Sequence, residues 1–201
     1  MEFGELREVA VLNQRIRRVL SVFRVMAAHM CVHGSNPEDS ASHLCGRIGA
    51  IGRVALAPAL VDGIDLEALV RDELLLTAAT DAQFAIQGPE ARLTSKTAEL
   101  MSLLIHELTT NALKFGALCQ SRAKIAVTWR IALRENQRIL QFDWLESGVQ
   151  MSAGAPSRSG FGTEVVERLI ARELQGEGRM TFMPDGVRCM IKLPLSEPAQ
   201  P

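Results

Sequence analysis

The 201-residue sequence has no excess of charge of either sign: 22 Lys and Arg face 23 Asp and Glu, for a formal net charge of −1. Global electrostatics therefore point neither to nucleic acid nor to an anionic membrane, and any charged partner must be met by a local patch. Nowhere do eighteen apolar residues run together, and Met1-Glu2-Phe3-Gly4-Glu5 carries no apolar signal core. The expectation is a cytoplasmic protein that does not enter a membrane. The four cysteines, Cys31, Cys45, Cys119 and Cys189, include no CxxC pair, which suits reduced thiols better than a disulfide framework. Internal repeats are absent, and low complexity is confined to the Pro-containing tail after Leu195. What is abundant is apolar content, at 47%. That is ample for one large domain or two small ones.

From Leu6 to Met30 the chain keeps a heptad, with Val9, Ile16, Phe23 and Met30 at one position and Leu12, Val19 and Met26 three residues on. The other faces of this long helix carry Arg7, Arg15, Arg17, Arg18 and Arg24. Gly34-Ser35-Asn36-Pro37 breaks it, and Pro37 fits the first position of a second helix capped by Asn36. Leu44, Ile48, Ile51 and Ala55 are expected on one side of that helix, which ends by Pro58. Gly46, Gly49 and Gly52 weaken it by roughly 0.8–1 kcal/mol each relative to alanine. Two helices with facing seams form an antiparallel hairpin, and pairing of two hairpins into a four-helix bundle buries the seam, so a homodimer is expected.

Val61-Asp62-Gly63 reads as a boundary between this hairpin, residues 1–62, and a second domain, residues 63–196, with 197–201 as a tail. Asp65 can cap a helix through about Leu76, and Ala82 to Ile86 reads as a short strand closed by Gly88-Pro89. An apolar-periodic helix beginning near Thr97 closes at Gly116. Lys124–Leu133 and Arg138–Glu146 form a hairpin through Glu135-Asn136, and a helix from Thr163 to Leu174 precedes strands at Arg179–Met183 and Val187–Leu193. The fold class is α+β: a helical hairpin, then helices against one mostly antiparallel sheet.

The central stretch is His106-Glu107-Leu108-Thr109-Thr110-Asn111-Ala112-Leu113-Lys114-Phe115-Gly116. Met101, Ile105, Leu108 and Ala112 make a core face, while Glu107, Asn111 and Lys114 fall at i, i+4 and i+7 on another. Carboxylate, amide and ammonium on one stripe meet the needs of phosphate chemistry: a hard-cation ligand, a group to orient a nucleophile or water, and a positive charge. The plain alternative is a solvated face with a Glu107–Lys114 relay through Asn111. Glu146, at a strand end before Ser147-Gly148, can accept from the amino group of a base, and Gly148 lets backbone approach the ring. A plain turn has the same composition. Gly160-Phe161-Gly162-Thr163 opens a helix whose N–H groups can hold an anion, but it lacks the third glycine of a dinucleotide fingerprint and the lysine of a P-loop. His29, Cys31, His33, His43 and Cys45 include an i, i+4 histidine pair suited to zinc, yet no ligand spacing recurs. Scattered polar residues near a loop are the better reading.

Taken in order, the His106–Ala117 stretch, Trp144-Leu145-Glu146 and Gly160-Phe161-Gly162-Thr163 closely resemble the ATP-binding domain of the HWE histidine kinases, a bacterial two-component family named for the residues matched by His106, Trp144 and Glu146. Cys189 to Leu195 is similar to the family's last strand, and Leu12 to Met26 to its dimerisation and phosphoacceptor helix. The resemblance implies a Bergerat α/β sandwich beside the helical bundle. It implies that Asn111 ligates the Mg²⁺ of MgATP and that Glu107 lines the reacting end, with His106 and Lys114 as neighbours in the motif. Glu146 and Gly148 then sit at the adenine, and Gly160, Gly162 and Thr163 in the loop and helix start by the phosphates. It further implies a response-regulator receiver domain as partner, docking where Arg15, Arg17, Arg18 and Arg24 lie.

Three departures from the pattern matter. The acceptor histidine is replaced by Gln14, the asparagine four residues on by Arg18, and the usual Gly-Gly after the Trp-x-Glu motif by Gly148-Val149. The resemblance therefore supports a two-component protein that binds MgATP without autophosphorylation at Gln14. Two rivals stand beside it: a non-catalytic pseudokinase or adaptor, and an ATPase or kinase with another acceptor.

Overall fold

The computed structural model describes residues 37–56, 63–77, 82–150 and 161–196. The chain divides into two compact units, Met1–Cys45 and Gly46–Pro201. The heptad, Gln14, Arg15, Arg17, Arg18 and Arg24, His29, Cys31, His33 and Gly160 all lie outside the described residues. The division falls inside helix α1 (Pro37–Leu56) rather than at the Val61-Asp62-Gly63 break.

Helix α1 starts at Pro37, where a missing N–H costs nothing. Its buried face is Arg47, Ala50, Ile51 and Val54; of the expected Leu44, Ile48, Ile51 and Ala55 only Ile51 is buried. Ile48 is in fact exposed. The rotation has two visible causes: Gly46 lies against the His106 ring, and Arg47 turns inward to an acid. The apolar pattern alone did not register a charged residue on the buried face.

In the second unit, Asp65 caps helix α2 (Leu66–Leu76) by accepting from the Ala68 N–H. Strands β1 (Ile64–Asp65) and β3 (Arg92–Leu93) pair antiparallel in a sheet of their own. The main sheet has the order β2-β4-β5-β7-β6: β2 (Phe84–Gln87), β4 (Lys124–Arg134), β5 (Gln137–Ser147), β7 (Gly186–Pro194) and β6 (Glu177–Met183). Only β2 runs parallel to its neighbour; the other pairings are antiparallel. Glu135 and Asn136 turn the β4–β5 hairpin with φ of 47° and 64°, a conformation that two-residue hairpin loops require.

One face of the sheet is apolar and covered. Ile125 and Val127 from β4, Leu140, Phe142 and Trp144 from β5, and Cys189, Ile191 and Leu193 from β7 are all buried. Helix α3 (Ser95–Phe115), capped by Thr94, places Met101, Ile105, Leu108 and Ala112 in the core, as its periodicity predicts. The expected Thr163–Leu174 helix is α4 (Phe161–Glu164), a π turn at Val165–Leu169 and α5 (Ile170–Leu174). Val166 of the π turn seats on β6, where a Cβ at Gly178 would strike its carbonyl. The unit is thus a layer of helices on a sheet, the architecture expected for residues 63–196.

Candidate functional site

The site is built on the carboxy-terminal half of α3. Asn111 and Lys114 are exposed, one turn apart, while Glu107 is buried at 6% exposure. Glu107 does not belong to a solvated relay along its own helix. Its two oxygens accept from Arg47, Nε at 2.7 Å and Nη2 at 3.1 Å, across 60 positions of sequence. The Arg47 guanidinium lies 3.9 Å from the centroid of the Phe161 ring, a cation–π geometry.

Gly162 brings the start of α4 against this stripe. A Cβ there would lie 3.4 Å from both Asn111 Nδ2 and Glu107 Cβ. Asn111, Glu107 and Gly162 are therefore neighbours, which the linear sequence separates by about fifty residues. The donor set fits MgATP: an amide oxygen suits a hard cation, and Lys114 provides positive charge a turn away. A glycine opposite Asn111 keeps backbone, not side chain, at that wall.

His106 faces the other way. Its Nδ1 donates to Glu73 Oε1 at 2.5 Å, and Arg53 pairs with the second oxygen of the same carboxylate. Burial works to raise the Glu73 carboxyl, but the hydrogen bond and charge of His106, with Arg53 beside them, outweigh it and hold the group below its ordinary range. A Cβ at Gly46 would lie 2.7 Å from His106 Nε2, so the glycine is what admits the ring. Among the three glycines of α1 only this one meets another element: Gly49 has Arg53 of its own helix nearby and Gly52 has nothing within 4 Å. Ser102 adds a hydrogen bond to the Ala50 carbonyl at 2.9 Å.

Glu146 is placed inside the unit at 2% exposure. Its Oε2 accepts from the Ala117 N–H at 2.8 Å and its Oε1 from Trp144 Nε1 at 3.3 Å. Burial raises this carboxyl, with the two donors pulling back against it. The tryptophan and glutamate of the motif thus form a joint that ties β5 to the end of the motif helix. Gly148 sits at φ +74°, where a side chain is strained, and Val149 N–H donates to the Asp185 carbonyl. Thr163 is half-buried in α4. Among the described residues no group of three or more His, Cys, Asp or Glu is arranged to hold a metal, and no helix is long and apolar enough to cross a membrane.

Sequence reasoning did not single out Arg47, Arg53 or Glu73. The signal was present for Arg47, which sits at i, i+3, i+4 and i+7 with Ala50, Ile51 and Val54.

No family model matches the chain. A blue-light-activated histidine kinase from Rhizobium johnstonii is 27% identical over 98% of this chain and 56% of its own length. One from Brucella anthropi is 29% identical over 54% of this chain and 22% of its own. The chain therefore spans little more than half the length of the first relative. Among solved structures, a blue-light activated histidine kinase from Erythrobacter litoralis superposes with a TM-score of 0.61 at 19% identity, covering 92% of this chain and 59% of that one. A histidine kinase domain from the same source gives 0.52 at 20% identity, covering 88% and 84%. The chain is thus similar in sequence to blue-light-activated histidine kinases and shares the fold of their solved relatives, and its His106, Trp144 and Glu146 are consistent with the HWE pattern.

Proposed function

We propose that the second unit binds MgATP at the Asn111–Gly162 wall and that the chain acts in cytoplasmic two-component signalling with a receiver domain as partner. The observation that carries this reading is the convergence of Asn111, Glu107 and Gly162 in three dimensions. When bound, the metal neutralises phosphate charge. Asn111 is the residue to ligate it, Lys114 the cation near the phosphates, and Gly162 the backbone wall beside them. Glu107 is the carboxylate on the reacting side. Glu146 and Gly148, assigned to the adenine end, shape that end from within through the Trp144–Glu146–Ala117 joint.

The amide nitrogen of Gln14 has its lone pair delocalised into the carbonyl and is no nucleophile at neutral pH. That favours, as a second reading, an adaptor that keeps nucleotide and partner surfaces without transferring phosphate. In either case the heptad of Val9, Ile16, Phe23 and Met30 calls for a homodimer. An Ile16→Glu/Phe23→Glu variant is expected to be monomeric by light scattering, and an unaffected dimer contradicts that assembly.

Nucleotide binding is tested by thermal unfolding with and without MgATP. A ligand of the native state at about 100 times its Kd adds about 2.7 kcal/mol of stability, so the melting point rises with nucleotide concentration. A midpoint indifferent to millimolar MgATP overturns the reading.

A further inference from the structure

The carboxylate on the reacting side is already occupied. Arg47 encloses both Glu107 oxygens in one guanidinium fork, and each side chain is only 8% exposed. Because the same guanidinium rests on Phe161, three elements meet on one cation: α1, the motif helix and the start of α4. One turn further along the motif helix the situation is different, since Asn111 and Lys114 are exposed. The 46–54 stretch of α1 covers the first residues of the motif, His106 through Gly46 and Glu107 through Arg47, and leaves the metal-ligating amide reachable.

Stability alone does not account for this pair. A buried ion pair is often no better than well-packed apolar groups of the same size, and Ala50, Ile51 and Val54 already give α1 an apolar seat. The chemical effect is larger. A carboxylate engaged by both arms of a guanidinium has its charge balanced and its best lone pairs used, so it is a poor partner for a cation or for its water shell. The second anchor lies on the same helix: Arg53 joins the Glu73–His106 pair. A shift of α1 would thus free Glu107 and uncover His106, which stays paired to Glu73 of α2.

Resting on the reading that MgATP binds at Asn111, we infer that Arg47 is a release catch: the docked stretch of α1 withholds Glu107 from the metal side of the site, so that bound MgATP and docked Arg47 compete for one carboxylate. Such coupling is reciprocal. Freeing the catch tightens MgATP binding, and MgATP loosens the catch.

The test uses the full chain. Arg47→Met keeps the apolar stem and removes the fork. It is expected to bind MgATP more tightly than wild type, by about fivefold or more, at the lower end of typical couplings. ATP without magnesium is expected to show little difference between the two proteins. In wild type, MgATP is expected to speed amide hydrogen exchange across residues 47–56. In Arg47→Met that exchange is fast at the outset and indifferent to nucleotide. Should Arg47→Met fold poorly, Gly46→Ala carries the same test: its Cβ presses on the His106 ring while alanine favours the helix, so the catch is displaced without loss of α1. Equal or weaker MgATP affinity in a folded variant overturns the catch and leaves nucleotide binding standing. No MgATP binding by any of the three proteins overturns the nucleotide reading, and the catch with it.

Discussion

Gly116 closes the motif helix at φ −118° and ψ −145°, and replacing it by alanine puts the Trp144–Glu146–Ala117 joint under direct load. The added Cβ would run into Glu146 Oε2 and lie 2.8 Å from Ala112 Cα and 3.0 Å from Glu146 Cδ. Neither neighbour has an easy exit. Ala112 is fully buried backbone in the last turn of α3, and the Glu146 carboxyl is held by two donors. Moving Glu146 leaves the buried Ala117 N–H without an acceptor, at about 1–3 kcal/mol. Moving the helix end strains the packed core, at about 1–3 kcal/mol. A combined loss of about 2–6 kcal/mol lowers the melting point by about 4–24 °C at the sensitivity typical of a chain this long. Gly52→Ala is the control, because a Cβ there meets nothing within 4 Å. It removes a helix-interior glycine and should gain about 0.8–1 kcal/mol. Circular dichroism melts of the two variants beside wild type decide the matter. If Gly116→Ala melts with wild type, the joint is not the tight contact described, and the structural account of the motif's Trp and Glu is wrong.

Glu73 gives a pH dependence of definite sign. Its carboxyl is held below the ordinary range of about 4.5. Its contribution is therefore complete above that value and lost as pH falls through the lower folded value. Urea midpoints of wild type should drop below pH 4.5 more steeply than those of Glu73→Gln; parallel acid limbs would show that the His106–Glu73–Arg53 cluster contributes nothing. At Gln14 no acid-labile label is expected after incubation with γ-labelled ATP, and Gln14→His alone should restore little, because Arg18 keeps a charge beside the acceptor. Strong acid-labile label mapped to any histidine of the wild type identifies a working kinase with a relocated acceptor. Receiver binding should weaken with salt and be lost in Arg15→Glu/Arg18→Glu. Unchanged affinity by fluorescence anisotropy removes these arginines as the docking face.

Elements with local signals were legible in the sequence. Asp65 is a cap residue followed by apolar periodicity, and α2 begins beside it; α3 begins at Ser95 behind a Thr94 cap, two residues before the expected Thr97. The polar pair Glu135-Asn136 between two alternating runs fixed the β4–β5 register. The two-residue strands β1 and β3 are too short to show a period, and nothing local marks the π turn inside an apolar helical run. The stripe of Glu107, Asn111 and Lys114 was legible as chemistry, but its state was not. Arg47 reaches Glu107 from 60 residues away, and Glu73 reaches His106 from 33. The burial of Glu146 had a readable cause: it continues the inward period of Leu140, Phe142 and Trp144 along β5. Reading it only as a strand-end acid passed over that period.

Calorimetric titration of wild type and Asn111→Ala, each with ATP in magnesium and with ATP in a chelator, tests the central claim most directly. Asn111 is exposed and off the core face of α3, so its loss should leave the fold and melting point intact. The account predicts saturable, magnesium-dependent heat for wild type, with none for the folded Asn111→Ala. No heat for wild type, or equal magnesium-dependent heat for both proteins, contradicts it.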